Sequence, residues 1–231
     1  MPSNLIIAID GPSGAGKSTL GRMLARELGL LYVDTGAMYR AVALACVEAN
    51  VSASDAEAVA EVARRARVEL TGPPDHLRVL LDGRDVTAEV RAEQISRLAS
   101  VVSTVTEVRR ELVRQQRELG VRGAGVVLDG RDIGTVVFPA ADVKFFLTAV
   151  PEARAHRRYE QDHAREPGLT LADTLSDINT RDERDSKRAD SPLAIADDAV
   201  VIDTTELPVE EVFARMIEIV SERRRGPAAG D

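Results

Sequence analysis

The run Gly11, Pro12, Ser13, Gly14, Ala15, Gly16, Lys17, Ser18 and Thr19 constrains this chain more than any other stretch. It follows the apolar segment Leu5 to Ile9 and precedes a helical pattern of Leu20, Met23, Leu24 and Leu28. That order is strand, glycine-rich loop, helix, the context in which such a pattern acquires meaning. Glycines at positions 11, 14 and 16 free the backbone to turn successive N–H groups inward around an anion at a helix N-terminus. Lys17 then reaches terminal phosphates, and Ser18 offers a hydroxyl to Mg²⁺. The loop binds a nucleotide's phosphates; what becomes of the phosphate must come from the rest of the chain.

Beyond the loop, short apolar runs alternate with helical segments, which predicts an α/β fold, a parallel sheet with helices on both faces. Strands are expected at Leu5–Ile9, Leu30–Val33, Gly125–Leu128, Val143–Leu147 and Ala199–Ile202, five in all. Helices are expected from the loop to about Gly29, over Ala37–Asn50, from a capping start at Ser54–Glu57 to about Arg67, over Ala92–Val102, from Thr104 or Thr106 to a stop at Gly120, and over Val209–Arg223 before a short frayed tail. Residues 68–100 break the rhythm. Val68–Leu70, Leu77–Leu81 and Arg84–Val86 read as antiparallel strands, and Asp82-Gly83 between apolar runs is a two-residue hairpin signal. The organisation expected is a core of residues 1–67 and 101–231 with a small β-rich insert at 68–100.

Composition limits the partners. With 38 acidic against 30 basic residues and a net charge of −8, no broad basic face is available for nucleic acid or membrane surface, whereas a nucleotide needs only a local cluster of cations. The single cysteine, Cys46, lies in an apolar helical run, so neither an intramolecular disulfide nor a cysteine metal site is expected. No leader-like start and no run of 18 apolar residues occurs; a cytoplasmic protein is expected, and, with no interface signal, a monomer.

Polar residues at the carboxyl ends of parallel strands are the first candidates for a site. Three segments qualify: Asp34-Thr35-Gly-Ala-Met-Tyr-Arg40, Asp129-Gly-Arg131-Asp132, and Asp177 to Arg188. Asp-Gly-Arg-Asp occurs twice. The copy at 82–85 falls in a hairpin, where the turn alone explains it, and the copy at 129–132 follows a core strand. In the third segment Arg181, Arg184 and Arg188 share a helix face, with Asp185 spaced to pair with Arg181. A second cluster, Arg154, Arg157 and Arg158, lies upstream. The two basic helices bracket Arg165-Glu-Pro-Gly-Leu169 and read as a cover over about 151–190 that lays guanidinium groups on phosphates as it closes.

Taken together, Gly11–Thr19, Asp34–Arg40, Asp129–Pro139 and Arg181–Arg188 resemble the bacterial cytidylate kinases, with likeness along essentially the whole chain. The resemblance implies a P-loop three-layer sandwich in which the insert at 68–100 binds the nucleoside monophosphate and 151–190 is a helical lid. It implies transfer of the ATP γ-phosphoryl to CMP or dCMP with Mg²⁺. Arg40 and Arg131 would hold the CMP phosphate and Lys17 the ATP phosphates. Ser18 would bind Mg²⁺, with Asp129 ordering its waters. Arg157 and Arg184 would stabilise the transferring group. Asp132 would accept from the cytosine amino group, with Arg109, Arg188 and Ser100 as further base contacts. Arg181 and Asp185 would reach the sugar, and Thr35 would set a hydroxyl beside the acceptor. Other P-loop classes fit less well: no Asn-Lys-x-Asp string reads guanine, and neither the Asp-x-Asp nor the glycine triplet of shikimate kinases is present. Kinases of AMP, UMP or TMP differ mainly in the acceptor pocket and insert, and a non-catalytic ATP-binding regulator would lack acceptor-dependent turnover.

Overall fold

The computed structural model describes residues 4–120, 125–164, 166 and 168–225. Five strands, β1 (Leu5–Asp10), β2 (Leu31–Asp34), β6 (Gly125–Asp129), β7 (Val143–Thr148) and β8 (Val200–Asp203), form a parallel sheet in the order β2-β6-β1-β7-β8. Alternation along β1 serves both faces. Ile7 and Ile9 pack with Leu20 and Leu24 of α1 (Lys17–Leu28) and Met216 of α8 (Val209–Arg225). Ala8 joins Val33, Leu128 and the opposite layer, to which α2 (Thr35–Glu48), α3 (Ala56–Arg65), α4 (Glu93–Val102) and α5 (Thr106–Gly120) belong. Helix, sheet and helix make three layers, and the central strands β1 and β6, buried on both faces over most of their length, are apolar up to the aspartate that ends each.

Local chemistry sets the ends. α1 stops at Gly29, left-handed at φ 66°, whose N–H reaches Arg26 while Leu30 reaches back to Ala25 at 2.8 Å, a Schellman closure. Asp34 caps α2 by accepting from Ala37 N at 2.8 Å, and Asp55 caps α3 through Ala58 N at 3.0 Å.

Antiparallel strands form where expected, β3 (Val68–Thr71), β4 (Arg78–Leu81) and β5 (Arg84–Asp85) making a separate small sheet. Asp82 and Gly83 both have positive φ, 52° and 80°, the backbone of a type I′ turn between paired Leu81 and Arg84. The first Asp-Gly-Arg-Asp is therefore a turn. Val68, Leu81, Val90 and Ile95 share one apolar cluster with Met38 and Val42 of α2, so the insert leans on the core and has no separate one.

Two expectations change. Gly120 is not a left-handed helix stop: it is the last residue of α5, and its glycine identity answers to Phe138, whose Cζ would lie 2.2 Å from an added Cβ. The last helix continues to Arg225, beyond the frayed tail expected after Arg223; residues 226–231 lie outside those described. The two basic helices are α6 (Pro151–Asp162) and α7 (Leu171–Lys187), and of the turn expected between them Arg165 and Pro167 lie outside the described residues. None of the helices among the described residues is long and apolar enough to cross a membrane.

A methyl at position 120 must displace the Phe138 ring. Gly120→Ala is expected to lower stability by about 1–3 kcal/mol, read as a lower urea midpoint with unchanged slope; an unaltered midpoint would show that the ring gives way freely.

Candidate active site

β1, β2 and β6 end level with one another, Ile9 and Asp34 each paired with Asp129. Past that edge lies a cleft of about 870 Å³, walled by the glycine-rich loop, the start of α2, the exit of β6, and α6 and α7. In the loop Gly14 and Gly16 take φ of 79° and 90°, and at Gly11, φ 143°, an added Cβ would sit 2.0 Å from the Leu147 carbonyl oxygen. The backbone thus curls where side chains cannot follow. Lys17 is buried and donates to the Pro12 carbonyl at 2.6 Å, folding its ammonium back over the loop. Burial, then the Arg131 guanidinium, pushes its pKa well below the usual lysine value.

Asp129, at the end of β6, accepts from Ser18 Oγ and from the Tyr32 hydroxyl, each at 2.8 Å. Burial, reinforced by the Asp34 carboxylate, raises it to about 6, while Lys17 and the two hydroxyls oppose the rise. Asp10 is a second buried carboxylate lifted to about 6 by burial. It accepts from the N–H groups of Ile133 and Gly134 at 2.8 and 2.7 Å, fixing a single π-helical turn, Ile133–Val137, directly after Arg131 and Asp132.

Cations dominate the cleft. Arg40 pairs with Asp34 at 3.0 Å and Arg131 with Asp185 at 2.7 Å. Arg157 is pinned to the Thr204 carbonyl and hydroxyl beyond β8, and Arg158 pairs with Asp162. Arg181 lines the cleft with its Nε buried and unpartnered among the described residues. Burial and the Arg131 charge lower its pKa to about 9.

Of the sequence-predicted residues, the cleft gathers Ser13 to Thr19 of the loop, Arg40, Asp129, Arg131, Arg157 and Arg181. Arg184 faces a neighbouring cavity of about 490 Å³ between α4 and α7, where it donates to Ser100 Oγ at 2.8 Å. Asp132, Arg109 and Arg188 form a buried knot behind the cleft. The Arg109 guanidinium binds the Asp132 carboxylate, its Cζ 5.6 Å from the centre of the Tyr39 ring, and Arg188 Nε donates to the Asp185 carbonyl at 3.3 Å.

The structure corrects two expectations. Asp185 takes Arg131, from another element, as its hydrogen-bonded partner instead of Arg181 on its own helix. Arg154 is buried under the loop, its donors bound to Ala149, Ser13 and Asp182, and does not reach the cleft. Arg109, expected as a base contact, is only 2% exposed, and the Thr35 hydroxyl donates to the Asp129 carbonyl at 2.7 Å. Sequence reasoning missed Asp10 and Tyr32. The first was legible as a carboxylate ending a strand, whereas nothing separates Tyr32 from an ordinary core aromatic.

Residues 7–222 match the protein family described as Cytidylate kinase. A cytidylate kinase of Caldanaerobacter subterraneus subsp. tengcongensis is 49% identical over 220 residues, covering 95% of this chain and 96% of that protein. One from Rhodococcus opacus is 48% identical over 221 residues, 96% of each. Among solved structures, an uncharacterised protein from Eubacterium ventriosum matches with a TM-score of 0.52 at 13% identity over 95% of this chain and 99% of its own, a likeness of fold alone.

The Arg109–Asp132 pair carries a stability test. Asp132→Ala strands a buried guanidinium and is expected to cost about 3–5 kcal/mol, whereas replacing both partners with leucine recovers most of that loss. Urea melts of the two singles and the double decide it; equal losses in the single and double variants would mean that the pair does not hold this knot together.

Proposed function

The chain belongs to the cytidylate kinase family, and we propose that it phosphorylates CMP and dCMP at the expense of ATP, with the cations of the cleft as the main part of its catalytic apparatus. The acceptor is itself a phosphate monoester, so its oxygen is already nucleophilic and no general base is required. The barrier lies in bringing two polyanions into line and in charge on the transferring group. The observation that carries the reading is the crowd of buried cations lining one cleft: Lys17 and Arg181 both hold their protons less tightly because they are buried away from water and because Arg131 is near. Such a cluster is relieved by an anion.

The loop N–H groups and Lys17 would hold the ATP phosphates, and Arg40 and Arg131 the acceptor phosphate. Arg157 stands on the cleft wall for the transferring group, with Arg184 arriving from the neighbouring cavity as α7 closes. Arg181 and Asp185 would meet the sugar. Thr35 would act through the Asp129 carbonyl it binds. Ser18 against Asp129 at the helix start suits Mg²⁺, which keeps most of its waters and takes few protein ligands. When bound, the ion would supply positive charge to the phosphates; Ser18 would ligate it and Asp129 would orient its waters.

For the base, Arg109 engages Oδ2 of Asp132, leaving the second carboxylate oxygen to accept from the amino group that distinguishes cytosine from uracil. Arg188 and Ser100 would complete the edge. A site built to bond that amino group rejects an analogue lacking it. The insert at 68–100 would close over the acceptor and 151–190 over the phosphates. The acidic balance of the chain supports action on free nucleotides rather than nucleic acid or membranes; a cytoplasmic monomer completes the proposal.

ADP release assayed against CMP, dCMP, UMP, AMP and shikimate tests the reading: CMP and dCMP are expected to lead, and preference for another acceptor, or release independent of any, would overturn it. Lys17→Met should cut turnover by at least about 10²-fold without loss of thermal stability, because it removes a buried charge; retained turnover would undo the phosphate assignment.

A further inference from the structure

Arg154 is a guanidinium of the basic helices that no nucleotide role absorbs and that does not line the cleft. It sits in the first turn of α6, 3% exposed, and its three donor positions go to three segments. Nε bonds the Ala149 carbonyl at 2.9 Å, at the exit of β7. Nη1 bonds the Ser13 carbonyl at 3.1 Å, inside the phosphate loop, and Nη2 pairs with Asp182 of α7 at 2.7 Å. A planar fork can serve three diverging acceptors; an ammonium on a flexible stem cannot hold the same geometry.

The loop has no slack toward this residue. At Gly14, next to Ser13, an added Cβ would lie 2.9 Å from Arg154 Cβ and 3.1 Å from its carbonyl oxygen, so α6 lies directly against the loop. On the other side Asp182 follows Arg181, which lines the cleft, and precedes by three residues Asp185, which holds Arg131 at 2.7 Å. The chain of contacts therefore runs from Ser13 through Arg154 and Asp182 to the turn of α7 that presents Arg181 and Asp185.

We infer that Arg154 and Asp182 are positioning residues that couple the two nucleotide sites, so that filling the phosphate loop sets the turn of α7 that receives the acceptor. The inference rests on the kinase reading above. An ATP molecule seated in the loop fixes the Ser13 carbonyl; through the Arg154 fork it fixes Asp182, and the acceptor meets Arg181 and Asp185 already placed. Neither positioning residue touches substrate. A buried ion pair that merely stabilised the fold would lower stability without linking the two ligands.

The test is calorimetric. The Kd of CMP is measured with and without a saturating non-hydrolysable ATP analogue in the intact protein, in Asp182→Asn, which keeps an acceptor for Nη2, and in Asp182→Ala, which does not. The parent protein should bind CMP more tightly with the analogue, by a factor within the roughly 5–150-fold typical of coupled sites. Asp182→Asn should retain part of that factor and Asp182→Ala should bring it near 1, with CMP affinity in the absence of the analogue changed by less than about threefold. A full coupling factor in Asp182→Ala, whatever its melting temperature, overturns the inference, as does a parent protein without coupling. Should Asp182→Ala fail to fold, an undiminished factor in both Asp182→Asn and Arg154→Lys overturns it equally. Failure of the acceptor panel would instead strike the kinase reading, since coupling is measured without turnover.

Discussion

Repulsion between like charges organises this molecule. Lys17, Arg40, Arg131, Arg157, Arg158 and Arg181 line one cleft in a chain whose net charge is −8. Several have carboxylate partners, Arg40 on Asp34 and Arg131 on Asp185, but among the described residues Lys17 hydrogen-bonds only to a carbonyl, and Arg181 keeps a buried nitrogen without a partner. Holding such groups together out of water costs folding free energy. The surrounding fold supplies it through three layers of apolar packing, and the cost becomes binding energy when polyphosphate enters. Preorganised charge of this kind needs no rearrangement at the moment of transfer.

Rigid strands are what make the crowding possible. β1 passes within two residues from a buried strand to the phosphate loop, and at that point Asp10 and the Ile9 carbonyl capture the N–H groups of Ile133, Gly134 and Gly130. The phosphate loop and the Arg131–Asp132 segment are thus stitched to one strand end. Asp129 does the same for α1 and β2 through Ser18 and Tyr32. The carboxylates Asp10 and Asp129 act as rivets between elements, and the cations would meet the phosphates.

Much of this was legible from residue order. Apolar runs buried on both faces announced the parallel sheet, Asp82-Gly83 announced the hairpin, and the glycine loop announced the anion site, because each is a local rule with a local cause. Partners across elements were not legible. Helical spacing offered Asp185 to Arg181, yet Asp185 reaches Arg131 on the β6 exit, because spacing gives a face and says nothing of what packs against it. Arg154 reads like its neighbours Arg157 and Arg158, but the first turn of α6 lies beneath the loop and the later turns face the cleft. The π-turn has no sequence signature apart from the carboxylate that fixes it, Asp10, which immediately precedes Gly11 but lies 123 residues from Ile133.

The central claim is that the cleft stores charge repulsion which an anion relieves. The most direct measurement is the titration of the Lys17 ammonium by NMR on the protein with labelled lysine, alone and with bound tripolyphosphate. The account predicts a Lys17 pKa well below that of exposed lysines in the free protein and a clear rise when the anion binds. An ordinary lysine pKa in the free protein, unmoved by tripolyphosphate, would contradict it.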